Sequence, residues 1–188
     1  PAVLIPRPDT ETLVEAVINW ARTQNCPLEI ADLCTGSGCI AISLAHYIPG
    51  SHVRASDISP EALAVARQNA ELNGVSVTFH QGDLWEALPA GRQYDVITSN
   101  PPYIDWKQLK ELDTDVIDHE PRLALDGGED GLDFYRIIVE NAKKLIKSLQ
   151  KDFLILISSN NTRDRIEPYL KELGIGGVAF SMKPSTKG

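Results

Sequence analysis

The hydrophobic positions along the chain follow two alternating patterns: short runs of branched residues, and longer segments with apolar residues three or four positions apart. The first long segment places Leu13, Val14, Val17, Ile18 and Ala21 on one helical face. Short apolar runs that alternate with helical segments are typical of βαβ units, in which helices join parallel strands. The pattern therefore predicts an α/β fold built on a parallel sheet.

This pattern predicts five or six strand and helix units. The predicted strands are Leu28–Leu33, His52–Asp57, Val77–His80, Tyr94–Ser99, Phe153–Ile157 and Val178–Met182. The predicted helices are Asp9–Arg22, one that begins near Gly38 and ends near Tyr47, one that begins at Ser59-Pro60-Glu61 and ends at Gly74, Leu132–Ser148, and Arg163–Leu173. The connection 100–131 shows little periodicity, and loops of this length are usually functional or mobile.

Composition places the chain among globular proteins. Its 188 residues are 43% hydrophobic and 23% charged, which suits one domain with a sizeable core. The 18 basic and 26 acidic residues give a net charge of −8 without a dense Lys/Arg cluster, which disfavours a non-specific binder of nucleic acid backbone.

No apolar run approaches the roughly 20 residues of a membrane span, and three cysteines do not favour a disulfide framework. We therefore expect a cytoplasmic protein.

A glycine-rich turn follows the first predicted strand. In the segment ADLCTGSGCIA, Gly36 and Gly38 stand between a buried strand and a helix, where the backbone turns sharply and leaves room for a ligand. The N–H groups at the start of the new helix can hold an anionic group. Ordinary turns also use Gly-x-Gly, so this segment alone leaves a ligand site and a plain turn equally open.

Acidic residues follow the second and third predicted strands. Asp57 lies 19 residues after Gly38, where an acid accepts the ribose hydroxyls of a nucleoside in Rossmann-like folds. The same residue suits an Asx turn ahead of Ser59, and the two roles are compatible. Asp83 follows the third strand, and the carboxyl ends of parallel strands meet at one edge of a sheet. Cys34 replaces the first glycine of the dinucleotide fingerprint, and the two acids suit an adenosine instead.

The segment Asp32–Gly38 resembles the acid-x-x-x-Gly-x-Gly turn of class I S-adenosylmethionine-dependent methyltransferases. The resemblance implies a Rossmann-like fold with a mostly parallel, twisted sheet, helices on both faces and a C-terminal antiparallel edge, for which this tail offers one strand pattern instead of two. It implies S-adenosylmethionine as cofactor, S-adenosylhomocysteine as product and no metal. In this family the acid after the second strand holds the ribose, and an Asp with an apolar residue after the third frames the adenine. The implied cofactor-binding residues are Asp32, Cys34, Thr35, Gly36, Ser37, Gly38, Asp57, Ile58, Asp83, Leu84 and Asn100.

Two consecutive prolines follow the fourth predicted strand, in the segment SNPPYID. Pro101 and Pro102 lack N–H groups, so they end the strand in a rigid extended loop. The side-chain oxygen of Asn100 and the carbonyl of Pro101 are then available to accept hydrogen bonds from a planar NH₂ group, and Tyr103 offers an aromatic face. Such a nitrogen is a poor nucleophile, and two acceptors would orient it and stabilise the positive charge that develops during attack on a sulfonium methyl. The alternative is a proline-rich turn with a structural role only.

The sequence Asn-Pro-Pro-Tyr occurs in methyltransferases that act on adenine or cytosine amino groups and in those that act on glutamine amides. Leu4–Glu15 (LIPRPDTETLVE) and His119–Arg136 (HEPRLALDGGEDGLDFYR) resemble segments of the HemK-type glutamine-N5 methyltransferases that modify peptide chain release factors. The resemblance implies that Asn100, Pro101 and Tyr103 are catalytic and that Asn100, Pro101, Pro102 and Tyr103 bind the glutamine amide. The segment DLCTGSGCIAI also resembles sister enzymes that methylate a glutamine of a large-subunit ribosomal protein, which is the nearest alternative.

The resemblance also carries expectations about partners and domains. It implies a peptide chain release factor as protein substrate, with no membrane and no specific nucleic acid partner. We expect residues 1–188 to form a single catalytic domain without the N-terminal substrate-recognition domain of the family. After the fifth strand the sequence departs from the family, because Ser158-Ser159-Asn160-Asn161 replaces an acid-rich turn.

Five further residues keep two interpretations each. In one interpretation, Asp9 or Thr10 caps the first helix and Arg7 is exposed to solvent. In the other, the loop that contains these residues covers the site. Glu120 and Arg122 shape the wall of the long loop, or form a local ion pair at the surface. We therefore leave all of these residues out of the predicted catalytic set.

Overall fold

The computed structural model describes residues 2–112, 119–145, 153–157, 164–168 and 178–181. The strands are β1 (Glu29–Leu33), β2 (His52–Asp57), β3 (Thr78–Gln81), β4 (Val96–Ser99), β5 (Phe153–Ile157) and β6 (Val178–Ser181). The helices are α1 (Pro8–Ala21), α2 (Cys39–Tyr47), α3 (Pro60–Leu72), α4 (Trp106–Glu111) and α5 (Asp133–Leu145). Residues 164–168 are also helical, and 3₁₀ turns occur at Leu84–Ala87 and Arg122–Ala124.

The six strands form one sheet in the order β3-β2-β1-β4-β5-β6, and every pair is parallel. The chain builds outward from β1 to β3, and then returns to place β4 on the other side of β1. The predicted α/β fold with a parallel sheet is thus confirmed. Because β6 pairs parallel to β5, the described strands do not include the antiparallel edge that the resemblance implies.

The two faces of the sheet carry separate hydrophobic cores. Successive side chains of a strand point to opposite faces, so Ile30 and Ala31 of β1 lie in different clusters. The cluster of Ile30 contains the buried faces of α1 and α2, whereas the cluster of Ala31 contains α5 and Ile166. Helices therefore cover both faces of the sheet. The turns that follow the strands lie at the carboxyl ends of the strands, which the helices leave accessible.

The predicted starts of β4 and α1 are both wrong. β4 begins at Val96, two residues after the predicted start; just before it, Asp95 donates its N–H to the Glu29 carbonyl at 2.8 Å, and its carboxylate accepts the N–H of Glu29 at 2.8 Å. α1 begins at Pro8 with Arg7 at its N-cap, so the interpretation of Asp9 or Thr10 as the cap is also wrong. The side chain of Asp9 lies outside the described residues.

The connection 100–131 contains more structure than its sequence predicted. α4 is capped by Asp105, whose Oδ1 accepts the N–H groups of Lys107 at 2.9 Å and Gln108 at 2.8 Å. Some residues of the predicted elements lie outside the described residues: 146–148 of the helix Leu132–Ser148, 163 and 169–173 of the helix Arg163–Leu173, and Met182 of the last strand. The segment 158–161 also lies outside them. Within the described ranges, no helix is both long enough and apolar enough to cross a lipid bilayer.

The start of α3 provides a test of the predicted capping. The Ser59 hydroxyl accepts the N–H of Ala62 at 3.1 Å, and Pro60 occupies the first helical position. Replacing this cap by alanine leaves an unsatisfied donor, so we expect Ser59→Ala to lower the free energy of unfolding by about 1 kcal/mol. Urea denaturation measures the change. Ser59→Asn keeps an acceptor and should restore most of the loss; equal losses in both variants would contradict the capping role.

Candidate functional site

The carboxyl ends of β1, β2, β3 and β4 surround a cavity of about 240 Å³. In an open parallel sheet, ligands usually bind at the carboxyl ends of the strands, next to the point where the strand order reverses. The turn after β1 contributes Cys34, Thr35, Gly36 and Ser37 to the lining. The turns after the other three strands contribute Asp57, Ile58, Asp83, Leu84, Asn100 and Pro102. Four residues of the predicted site, Asp32, Gly38, Pro101 and Tyr103, do not line the cavity.

The two glycines of the turn after β1 serve different purposes. Both have left-handed backbones, with φ of +56° at Gly36 and +80° at Gly38. A Cβ at Gly36 would meet nothing within 4 Å, so this glycine leaves the backbone open toward the cavity. A Cβ at Gly38 would lie 2.9 Å from Ile42 Cδ1 and 3.1 Å from Ala66 Cβ, so this glycine permits α2 to pack against α3. The sequence predicted the turn, but it did not predict that Gly36 and Gly38 have different roles in it.

Asp32 is fully buried beneath that turn. Its carboxylate accepts hydrogen bonds from the hydroxyls of Thr35 at 2.6 Å and Thr98 at 2.7 Å. Burial raises the pKa of this carboxyl to about 6, and the two threonine bonds limit the rise. Asp32 therefore joins the turn after β1 to β4, and its place is structural rather than in the wall of the cavity.

Asp57 lies in the wall of the cavity and also holds two turns together. One carboxylate oxygen accepts the N–H of Gly36 at 2.8 Å, and the other accepts the N–H of Ser59 at 3.0 Å. The Asx-turn role predicted for this residue is therefore present. Each carboxylate oxygen has a second lone pair, so hydrogen bonds to a ligand in the cavity are compatible with both contacts.

The cavity lining also contains apolar side chains. Ile58 is 49% exposed although it is a large hydrophobic residue, and it lies in the lining beside Leu84 and Phe134. Leu84 has the unusual φ of +39°, and its carbonyl accepts the hydroxyl of Ser56 at 3.2 Å. A cavity lined by both carboxylates and apolar side chains suits a nucleoside, whose sugar is polar and whose base is flat and weakly polar.

The loop that follows β4 is fixed at its base and at its end. At the base, the hydroxyl of Ser99 donates to the carbonyl of Leu33 at 2.9 Å. Pro101 and Pro102 are buried, whereas Asn100 and Tyr103 are half-buried. Tyr103 packs against the core cluster that contains Tyr135, whose hydroxyl pKa is raised by burial. Asn100 and Pro102 therefore reach the cavity while Tyr103 lies beside the core.

Two segments far apart in the sequence cover the cavity. The N-terminal segment contributes residues of 2–10 to its lining, and the segment 121–124 contributes Pro121, Leu123 and Ala124. An ion pair between Arg7 and Glu120 joins these segments, and Glu120 is only 6% exposed. The surface ion pair considered for Glu120 is therefore wrong, whereas exposed Arg122 does form a local pair, with Asp126 at 3.4 Å. Both covering segments overlap the stretches that resemble the family, Leu4–Glu15 and His119–Arg136. That resemblance was the feature of the sequence that indicated a role for both segments at the site.

Comparison with known proteins agrees with this architecture. The family model described as methyltransferase small domain matches residues 10–153. A release factor glutamine methyltransferase of Clostridium acetobutylicum is 47% identical over 148 residues, which cover 77% of this chain and 52% of that protein. A protein of the same name from Moorella thermoacetica is 52% identical over 150 residues, which cover 78% and 52%. The predicted resemblance is thus confirmed, and the chain spans about half the length of the curated relatives it matches.

Solved structures show the same fold at low sequence identity. A SAM-dependent methyltransferase from Agrobacterium tumefaciens has a TM-score of 0.66 and 17% identity, covering 93% of this chain and 53% of its own. A ribosomal protein L11 methylase from Lactobacillus delbrueckii subsp. bulgaricus has a TM-score of 0.61 and 23% identity, covering 92% and 72%. At these identities the likeness concerns the fold alone.

The raised pKa of Asp32 predicts how stability depends on pH. Between about pH 4 and 6 the native protein retains the Asp32 proton that the unfolded chain has released, so this residue's contribution to stability falls as the pH rises. The shift from 3.8 to about 6 corresponds to roughly 3 kcal/mol. In Asp32→Asn this loss is absent, because the amide does not ionise and can still pair with both threonines.

Urea denaturation of both proteins between pH 4 and 7 checks this expectation. The free energy of unfolding of Asp32→Asn should rise relative to that of the unmodified protein as the pH increases through this window. Parallel profiles would contradict a raised pKa at Asp32.

Proposed function

The chain belongs to the methyltransferase small domain family, and we propose that it methylates a glutamine side-chain amide nitrogen in a protein, with S-adenosylmethionine as methyl donor. The observation that carries the proposal is the position of Asn100 directly after β4, where it lines the same cavity as Asp57 and is followed by two residues without N–H groups. An amide acceptor and a nucleoside-type pocket are thereby adjacent.

The residues of the cavity fit the methyl donor. The Asp57 carboxylate, with its remaining lone pairs, would accept the ribose hydroxyls, and the exposed side chain of Ile58 with Leu84 would hold the adenine. The backbone at Gly36 is open toward the cavity, since a Cβ there would meet no atom within 4 Å. When bound, the cofactor supplies an electrophilic methyl group on a sulfonium centre.

The loop after β4 would position the other reactant. The Asn100 side-chain oxygen and the Pro101 carbonyl accept the two N–H groups of the glutamine amide, which orients its nitrogen toward the cavity. The same two oxygens would stabilise the positive charge that grows on the nitrogen as its bond to the methyl carbon forms, while the bond from that carbon to sulfur breaks and S-adenosylhomocysteine leaves. We assign no general base, because the acidity of the developing cationic nitrogen lets its proton pass to solvent. Tyr103 and Pro102 would supply the apolar side of this substrate position.

A peptide chain release factor is the protein substrate we propose. The support is the name carried by the relatives from Clostridium acetobutylicum and Moorella thermoacetica, at 47% and 52% identity. The net charge of −8 disfavours a nucleic acid substrate, because such substrates are held through their phosphates by basic surfaces. We further propose that the protein acts in the cytoplasm, where translation factors occur.

Parallel transfer assays test the substrate class. Labelled S-adenosylmethionine is supplied with a release factor that carries its Gly-Gly-Gln loop, with large-subunit ribosomal protein, or with DNA. We expect label on the release factor, lost when its Gly-Gly-Gln glutamine is replaced by alanine. Label on ribosomal protein alone would move the substrate to the sister enzymes, and label on DNA alone would overturn the proposal. Binding of S-adenosylhomocysteine without transfer to any of the three would contradict the activity for this chain.

A pair of variants tests the division of labour between Asn100 and Asp57. In Asn100→Ala, we expect kcat to fall at least about 100-fold, while the Kd for S-adenosylhomocysteine stays within about tenfold, because only the amide acceptor is lost. In Asp57→Ala, we expect that Kd to rise about 10- to 100-fold, since a charged hydrogen-bond acceptor is removed. Calorimetry measures the Kd and label transfer the kcat. Unchanged turnover in Asn100→Ala would defeat its assigned role.

A further inference from the structure

The backbone just after the Asn-Pro-Pro-Tyr sequence pairs with a segment that lies more than twenty residues later. Ile104 donates its N–H to the carbonyl of Leu125 at 3.0 Å and accepts the N–H of Gly127 at 2.9 Å. These two bonds form an isolated parallel bridge between Ile104 and Asp126. The end of the loop after β4 is therefore held by main-chain hydrogen bonds and not by side chains alone.

Two glycines of this later segment touch the backbone of Tyr103. A Cβ at Gly127 would lie 2.7 Å from the Tyr103 Cα, and one at Gly131 would lie 2.5 Å from the Tyr103 carbonyl oxygen. Both distances are below any real contact of a Cβ, and the atoms concerned are backbone, which cannot move aside as the end of a side chain can. We call residues 127–131 the glycine brace. Only glycine at these two positions allows the brace to lie against Tyr103.

The brace is itself attached to the helices on that face of the sheet. The carbonyl of Gly127 accepts the N–H of Asp133 in the first turn of α5 at 3.2 Å. The Asp130 carboxylate pairs with Arg136 of α5 at 2.6 Å and with Arg165 in the helical segment 164–168 at 2.8 Å. The arginine contacts lower the pKa of Asp130 to about 2, so this carboxylate stays ionised at ordinary pH. The brace is therefore attached to α5 by a main-chain hydrogen bond and by the Asp130 ion pairs.

We propose that Gly127 and Gly131 are positioning residues for methyl transfer. By contact with the Tyr103 backbone they fix where the rigid loop of Asn100, Pro101 and Pro102 places its two amide acceptors. This inference rests on the proposed function, because it assigns the brace to the acceptor side of that same reaction. None of residues 127–131 lines the cofactor cavity, so the brace acts on the substrate side only.

The chain offers a matched control for Gly131. Gly131 and Gly91 both have φ of +75°, so an alanine at either position carries the same backbone strain. A Cβ at Gly91 would meet nothing within 4 Å, whereas the Cβ at Gly131 would meet the Tyr103 carbonyl. Any difference between Gly131→Ala and Gly91→Ala therefore reports the contact with Tyr103. Gly127→Ala adds a second contact variant, at a position without a left-handed backbone.

The three variants are compared for kcat and KM with a glutamine-containing release factor, for the Kd of S-adenosylhomocysteine, and for thermal unfolding. We expect kcat to fall about 100-fold in Gly131→Ala and Gly127→Ala, because a displacement of about 1 Å suffices for such a loss, and to stay within about twofold in Gly91→Ala. The Kd of S-adenosylhomocysteine should stay within about threefold in all three variants, because the cavity walls are untouched.

Three results would overturn the proposal. They are equal kcat in Gly131→Ala and Gly91→Ala, parallel losses of cofactor binding and turnover, and failure of both contact variants to fold. Each would mean that the brace stabilises the fold and does not position the acceptor loop. Hydrogen exchange at the Ile104 and Gly127 amides provides a readout that does not depend on activity, and both should lose protection in Gly131→Ala but not in Gly91→Ala. If the unmodified chain transfers no methyl group to glutamine, the proposed function fails, and retained protection in Gly131→Ala would independently overturn the brace.

Discussion

The two hydrogen bonds of one buried carboxyl group connect the two halves of the candidate site. The Asp32 carboxylate of β1 accepts hydrogen bonds from the hydroxyl of Thr35, in the turn that borders the cavity, and from the hydroxyl of Thr98, in the strand that leads to Asn100. A buried carboxyl without such partners would cost several kcal/mol, so both contacts must persist in the native protein. β1 and β4 are paired neighbours in the sheet, with Asp32 opposite Thr98, so these two contacts add to the backbone ladder in fixing the spacing between the turn after β1 and the loop after β4.

The loop after β4 receives support from three directions because its own sequence provides little. Its prolines donate no hydrogen bonds, so neighbouring elements must hold it: the Leu33 carbonyl at its base, the core around Tyr135 beneath Tyr103, and the brace beside it. Rigid loops on a rigid sheet are a common way to place reacting groups within narrow limits. The covering segments joined by Arg7 and Glu120 line the cavity, whereas residues 127–131 do not.

The sequence predicted the parts of this arrangement that depend on local patterns. The strands carry apolar runs, and Ser59-Pro60 signals the start of α3 directly, because capping involves neighbours in sequence. α4 escaped detection because none of its residues is buried, so it has no apolar face to detect. The pairing of Arg7 with Glu120 spans 113 residues, and the contact of Gly131 with Tyr103 exists only in the folded chain. Such features depend on which distant segments meet, which no local pattern contains.

Backbone strain points to the same cavity without reference to any relative. Within the described part of the chain, two residues other than glycine have positive φ, Cys34 at +54° and Leu84 at +39°. An L-residue in this region costs about 1 to 2 kcal/mol. Both residues line the cavity, one after β1 and the other after β3. Strain concentrated at two strand ends that border one cavity is expected where a ligand, and not local preference, determines the backbone path.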